Sequence, residues 1–244
     1  MNPSNRKSLD EFQRWLYTPH KDPDIWLFSN EGAPFANAYE QLCLLTKPPL
    51  CYSEFATFYA QLGLLLKAAE YNRYQENSDL RIKELYIAQF PLEDLPLFLK
   101  KDLITPEIVK RAGKGDIYNT SIWLGLEPTF TPLHRDPNPN LFVQMASTKR
   151  VRLLPPARGK DLYTRVRNEI GGGGNPNIRG EEMMSGNERD ALHKAVWGPQ
   201  APDDIQEAVL GPSDCLFIPN GWWHSVRSGS EDGGLNASVN WWFR

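Results

Sequence analysis

The stretch FTPLHRDPNPNLFVQ, residues 130–144, places His134, one of four histidines in a chain of 244 residues, two positions before Asp136 in a proline-rich turn. A core histidine normally sits on an apolar face, and this one does not. His-x-Asp at the mouth of a strand presents an imidazole and a carboxylate to one side of a metal ion, provided a third ligand arrives from elsewhere. Pro132, Pro137 and Pro139 restrict the backbone around both candidates, which suits a site whose geometry must be held.

Outward from this turn the chain reads as short β-branched or aromatic runs at 82–90, 118–126, 140–146, 149–155, 215–219, 222–228 and 236–243. Turn residues separate them (EPTFTP, PNPN, GPSD, PNG and SEDGG), and this punctuation predicts a barrel or sandwich. The first hundred residues read mostly helical instead. SLDEFQRWLY has Ser8 as N-cap with Glu11 three residues on, a capping box, and Leu9, Phe12, Trp15 and Leu16 on one face. SEFATFYAQLGLLLKAAEYNRYQ sets Phe55, Phe58, Tyr59, Leu62, Leu65, Leu66 and Ala69 at helical spacing, and TPEIVKRAG has Thr105 as cap and Gly113 as stop. Residues 156–206 form a long polar insertion with four glycines at 171–174 and a short helix at NERDALHKAVW. No Lys-Ser or Lys-Thr follows the glycines, so they read as a flexible loop and not as a phosphate cradle. Insertions of this length into compact domains often lie over sites.

The formal charge of −3 argues against a protein held to nucleic acid by bulk electrostatics. The N-terminus lacks the apolar core of a secretory signal and no window approaches a membrane span, so the expected location is cytoplasmic or nuclear, with no membrane partner. Cys43, Cys51 and Cys215 fit plain thiols in a reducing compartment better than a disulfide framework or a zinc knuckle.

Two histidines besides His20 compete to be the third ligand. His193 lies on a polar helical segment and reads as solvent-facing. His224, in GPSDCLFIPNGWWHSV, follows a tight turn on a strand among apolar residues. By itself it reads as a core histidine bonded to backbone; together with His134 and Asp136 it completes a two-histidine, one-carboxylate triad of the kind that binds Fe(II) with open positions.

TPLHRDPNPNLFVQMASTKRVRLLPP and GPSDCLFIPNGWWHSVRSGSEDGGLNASVNWWF resemble the JmjC, or cupin-like, Fe(II)- and 2-oxoglutarate-dependent oxygenases, in particular the hydroxylase branch that includes the asparagine hydroxylase of hypoxia-inducible factor. The resemblance covers roughly residues 82–243, with several separated motifs in order. It implies a mainly β fold, a double-stranded β-helix (jelly-roll, cupin-like) barrel over 82–244 with a helical N-terminal region, 1–81, covering it. It assigns the metal to His134, Asp136 and His224. For 2-oxoglutarate it implies Thr131, Lys149 and Tyr86 at the far carboxylate, Asn140 and Asn240 near the metal, and Trp242 as an aromatic wall. A dianion in a narrow barrel needs a fixed cation and neutral donors, or its desolvation goes uncompensated. The implied reaction consumes O₂ and 2-oxoglutarate, releases succinate and CO₂, and oxidises a substrate C–H bond at the metal, with no protein nucleophile.

His-x-Asp, where many JmjC lysine demethylases have His-x-Glu, leans toward hydroxylation of a protein side chain. The alternatives are lysine or arginine demethylation, tRNA hydroxylation, and a cupin-like binding protein without activity. Lys149, Arg150, Arg152, Arg158, Lys160, Arg165 and Arg167 against Asp161 form a basic run that could receive an acidic peptide or an RNA backbone. Arg135, Arg150 and Arg152 are the substrate-binding candidates, although alternation turns Arg135 away from the metal. The chain ends at Arg244 directly after the last barrel strand, so dimerisation through C-terminal helices is not expected and the oligomeric state stays open.

Overall fold

The computed structural model describes residues 7, 8, 11, 12, 14, 62–83, 85–112, 114–171 and 186–244. Among the described residues nine strands, β1 Tyr86–Pro91, β2 Ile117–Leu126, β3 Phe130–Arg135, β4 Asn140–Ala146, β5 Lys149–Leu154, β6 Gln206–Leu210, β7 Cys215–Ile218, β8 Trp223–Ser228 and β9 Leu235–Phe243, form two antiparallel sheets. Their orders are β1-β2-β9-β4-β7 and β3-β8-β5-β6. Pairing is nested: β5 with β6, β4 with β7, β3 with β8 and β2 with β9. One long hairpin rolled up on itself gives this pattern, which is the cupin jelly roll.

Alternation along the strands decides what faces the bore. In β5, Lys149, Val151 and Leu153 are buried while Arg150 and Arg152 are half-exposed. β9 is buried on both faces because both are covered. Ser238, Asn240 and Trp242 share its inner face by period 2, while Val239, Trp241 and Phe243 pack outward with Leu92, Leu95, Leu141 and Val109. Val109 comes from α3 (Glu107–Arg111), and α2 (Leu97–Asp102) adds Leu99 to the same cluster. The bore between the sheets is closed at one level by Phe142, Val151, Leu153, Leu210, Ile218 and Val226.

Helices α4 (Pro156–Glu169) and α5 (Gly186–Trp197) cover the outer face of the smaller sheet, with Leu162, Tyr163, Val166, Leu192 and Val196 packed on Leu133, Leu154 and Trp223. Gly159 permits the close approach: a Cβ there would lie 2.1 Å from Cγ of Trp223. At the end of α5, Trp197 Nε1 donates to Ser225 Oγ at 2.9 Å, and that hydroxyl donates to the Thr131 carbonyl at 2.9 Å. The helix cover thereby grips two strands that carry site residues.

Several sequence expectations are corrected. Residues 156–169, expected as irregular insertion, are helical, with Pro156 starting α4 where its missing N–H removes no bond. The expected strands omit β3 and β6, and the covering helix α2 is likewise unanticipated. Ser8 is itself helical, as is Lys7 before it, and its hydroxyl donates to the Asp79 carbonyl at 2.9 Å. Pro106, not Thr105, precedes α3, and it offers no side-chain cap. In α1 (Leu62–Tyr74) the core face is Leu64, Leu65, Ala68 and Tyr71, joined by Phe12, whereas Leu66 is 48% exposed. Leu9, Trp15, Leu16, His20, Cys43, Cys51, Phe55, Phe58, Tyr59, Gly113 and the glycines 172–174 lie outside the described residues. Cys215 is a free, exposed thiol.

Candidate metal centre and cosubstrate pocket

β3 and β8 pair so that His134 and His224 stand directly opposite each other. Asp136 follows β3 by one residue, and the three buried side chains bring ligating atoms within 4.8 Å of one another. Nε2 of His134 is 3.7 Å from Asp136 Oδ1, and Nε2 of His224 is 3.5 Å from Asp136 Oδ2. His134 Nδ1 lies 2.8 Å from the Pro132 carbonyl, an acceptor only, so Nδ1 carries the proton and Nε2 keeps its lone pair. Burial, with His134 alongside, pushes the His224 imidazolium down to about 4 against the pull of Asp136. At neutral pH it is a neutral imidazole, the form that ligates metals.

Asp136 is held from one side only. Asn140 Nδ2 donates to Oδ2 at 2.7 Å, and Asn240 Nδ2 donates to Asn140 Oδ1 at 2.9 Å. Oδ1 of Asp136 is buried without a hydrogen-bond partner among the described residues. A buried carboxylate oxygen left bare is costly, and a cation between it and the two imidazoles removes that cost. The donor set therefore fits a divalent metal that takes nitrogen and oxygen ligands.

These groups form one end of a pocket whose walls include Tyr86, Thr131, Lys149, Trp123, Phe142 and Trp242. Along β8, His224 faces Leu153 and Ser228 faces Lys149, so four strand residues, about 13 Å at the usual rise, separate the two ends. Lys149 is 2% exposed, and its Nζ donates to Ser238 Oγ at 2.6 Å and sits 5.5 Å above the Phe142 ring centre. Burial pushes its ammonium down to about 7, opposed by the Glu127 carboxylate. Tyr86 shares a side-chain hydrogen bond with Thr131, and burial pushes its phenol up. The pocket is thus bipolar, with three side chains that could hold a metal at one end and the Lys149 amine with three hydroxyls at the other.

The structure brings together His134, Asp136, His224, Thr131, Lys149, Tyr86, Asn140, Asn240 and Trp242 in this pocket. It does not bring Arg150 or Arg152 there. Both project from the opposite face of β5, where Glu207 accepts from Arg150 Nε and Arg152 Nε at 2.7 Å each. Arg152 also donates to the Val196 carbonyl and stacks on Trp197. Arg135 is exposed and turned out of the pocket. Elsewhere in the basic run, Arg158 pairs with Asp204 and Arg167 with Glu188. Trp123, Phe142, Val226 and Ser238 were missed from the sequence. Ser238 was within reach, since it shares a face with Asn240 and Trp242, as Phe142 does with Asn140 and Val226 with His224.

A jelly roll with two histidines and an aspartate grouped at one end of its bore has the cupin architecture and a donor set that could hold a metal ion. The chain belongs to the Cupin-like domain family, whose model matches residues 38–244. It is similar to a protein named lysine-specific demethylase JMJ30 of Arabidopsis thaliana, 26% identical over 174 residues, 70% of this chain and 36% of the relative. It is also similar to JmjC domain-containing protein F of Dictyostelium discoideum, 31% identical over 176 residues, covering 66% and 36%. Lysine-specific demethylase 8 of Danio rerio is 30% identical over 164 residues, covering 65% and 36%. The chain spans about a third of the length of these relatives. Among the described residues, no helix is long and apolar enough to cross a membrane.

Proposed function

We propose that this protein is an Fe(II)- and 2-oxoglutarate-dependent oxygenase acting on a protein side chain. The observation that carries the reading is the bipolar pocket, with His134, Asp136 and His224 at one end and Lys149, Thr131, Tyr86 and Ser238 at the other. A five-carbon keto-diacid matches both ends. Its distal carboxylate would meet the Lys149 amine and the hydroxyl donors, and its keto-acid end would lie toward His134, Asp136 and His224, the side chains that would hold the metal. Iron bound there supplies oxidation of a substrate C–H bond by O₂, coupled to splitting of 2-oxoglutarate into succinate and CO₂.

The chain's own residues position and protect. Asn140 and Asn240 orient Asp136, the Pro132 carbonyl sets the His134 tautomer, and Trp123, Phe142, Val226 and Trp242 keep water from the bore. The product is a hydroxylated side chain, or, where the oxidised carbon is an N-methyl group, a demethylated one. The second outcome is favoured by the names of two of the relatives, lysine-specific demethylases. Fewer observations support RNA, because acids of this chain already pair most of the arginines that suggested it.

The test combines succinate formation over panels of peptides, methylated and unmethylated, and tRNAs with mass spectrometry of the consumed substrate. Gain of one oxygen supports hydroxylation and loss of a methyl group supports demethylation. No thermal stabilisation by Fe(II) with 2-oxoglutarate and no succinate over any panel would sink the oxygenase reading, leaving a cupin-like binding protein.

A further inference from the structure

Behind the pocket lysine lies a buried carboxylate that the reaction does not use. Glu127, in the β2–β3 connection, is 1% exposed. Its Oε1 accepts from Ser147 Oγ at 2.8 Å and from Asn236 Nδ2 at 2.8 Å, and its backbone N–H donates to the Gly234 carbonyl at 2.9 Å. Asn236 in turn donates to the Thr148 carbonyl at 2.9 Å and accepts from Gln144 Nε2 at 3.1 Å. One carboxylate therefore ties the ends of β2, β4 and β9 to the Ser147–Thr148 turn from which Lys149 starts β5.

That turn is strained. Ser147 has φ 57°, a left-handed conformation uncommon for residues other than glycine, asparagine and aspartate. Its hydroxyl is held by Glu127, which offsets the strain, and Thr148 is wedged so tightly against Gly229 that a Cβ there would lie 2.1 Å from its Oγ1. Glu127 also opposes the burial that drives Lys149 toward its neutral form. The other titratable side chains facing the pocket are Tyr86, His134, Asp136 and His224.

We infer that Glu127 is a positioning residue for the cosubstrate: it sets the turn that aims Lys149 down the bore and stands behind that side chain as its buried countercharge. The inference rests on the 2-oxoglutarate reading above. Neutral Lys149 is a poor partner for a dianion, so cosubstrate affinity falls as pH rises through the lysine's titration. Without the Glu127 charge that fall comes at lower pH.

The test is Glu127→Gln, which keeps an acceptor oxygen for Ser147 and Asn236 and removes only the charge. Two readouts are 2-oxoglutarate affinity of the Mn(II)-loaded protein from pH 6 to 8, and ligand-free unfolding against pH. A buried opposite charge shifts a titration by roughly 1 unit or more, so the loss of affinity between pH 6 and 8 should deepen about fivefold in E127Q. Mn(II) affinity should stay the same. Ser147→Ala, which keeps the charge and loosens the turn, should weaken 2-oxoglutarate binding equally at every pH. An E127Q profile parallel to wild type overturns the inference, as does equal loss of metal and cosubstrate affinity. If E127Q does not fold, Glu127→Asp takes its place: it retains the charge and must retain the wild-type midpoint, and a midpoint lowered as predicted for E127Q overturns the assignment of the effect to charge. Wild-type protein that binds no 2-oxoglutarate at any pH defeats the functional reading instead, and ligand-free unfolding still reports whether Glu127 acts on Lys149.

Discussion

Replacing Lys149 with methionine removes a buried charge while nearly keeping its volume, and the consequence can be worked from the structure. The lysine titrates near 10.5 in the unfolded chain and near 7 in the native pocket because burial penalises the ammonium. Between those values the unfolded chain holds a proton that the native state has released, so wild-type stability rises with pH across that window and is flat below it. The full span, 10.5 to about 7, corresponds to about 5 kcal/mol at 1.36 kcal/mol per pH unit. Between pH 7 and pH 9 the wild type should gain about 2 kcal/mol relative to Lys149→Met. Urea unfolding of both proteins, ligand-free, at pH 6, 7, 8 and 9 reads this difference, and groups common to both cancel. A difference that stays constant from pH 6 to pH 9 would refute the claim that Lys149 is held in a low-dielectric pocket. The same variant should lose 2-oxoglutarate affinity by about 30-fold or more, since a charge-assisted bond contributes about 2 kcal/mol, with metal affinity unchanged. Equal loss of both would count against its role at the distal carboxylate.

Mn(II) and 2-oxoglutarate, each at a hundredfold excess over its dissociation constant, should raise the melting temperature by several degrees, since one such ligand stabilises by about 2.7 kcal/mol and each kcal/mol shifts a domain of this size by about 2–4 °C. Asp136→Ala or His134→Ala should abolish that shift. Asn140→Leu should lower Mn(II) affinity by about 10- to 100-fold, because Asp136 loses the amide that orients it, and a metal titration that matches wild type would show that Asp136 needs no orienting amide. Gly159→Ala should destabilise by about 1–3 kcal/mol through its clash with Trp223, read as a lower urea midpoint; an unchanged midpoint would mean that α4 shifts freely on the sheet.

Much of the barrel was legible because strand signals are local: β-branched runs, alternation and turn residues lie within a few positions of one another. β3 was read as a turn because Pro132 within it and the prolines on either side hid a strand that carries Thr131 and His134, and α4 was hidden by its charge. Only Leu162, Tyr163 and Val166 mark the apolar side of α4, and its burial became visible once the helix lay on Trp223. Arg150 and Arg152 lie outside the pocket for a related reason. Sequence shows the density of charge along a segment but not that Glu207, more than fifty residues away, pairs with both arginines from the next strand.

By itself the sequence determined the donor set: two imidazoles and one carboxylate, a lysine, and the hydroxyl and amide groups around them, in an order that only a rolled hairpin could bring together. Tertiary structure decided which of those groups meet. Nested pairing puts His134 opposite His224, and period-2 alternation sends Lys149 inward while its neighbour Arg150 goes out. It also decided what stands behind them. Glu127 sits in a stretch that reads as a turn, and its link to Lys149 exists because the β4–β5 turn and the start of β9 close around it, contacts spanning 20 and 109 residues that no local pattern encodes.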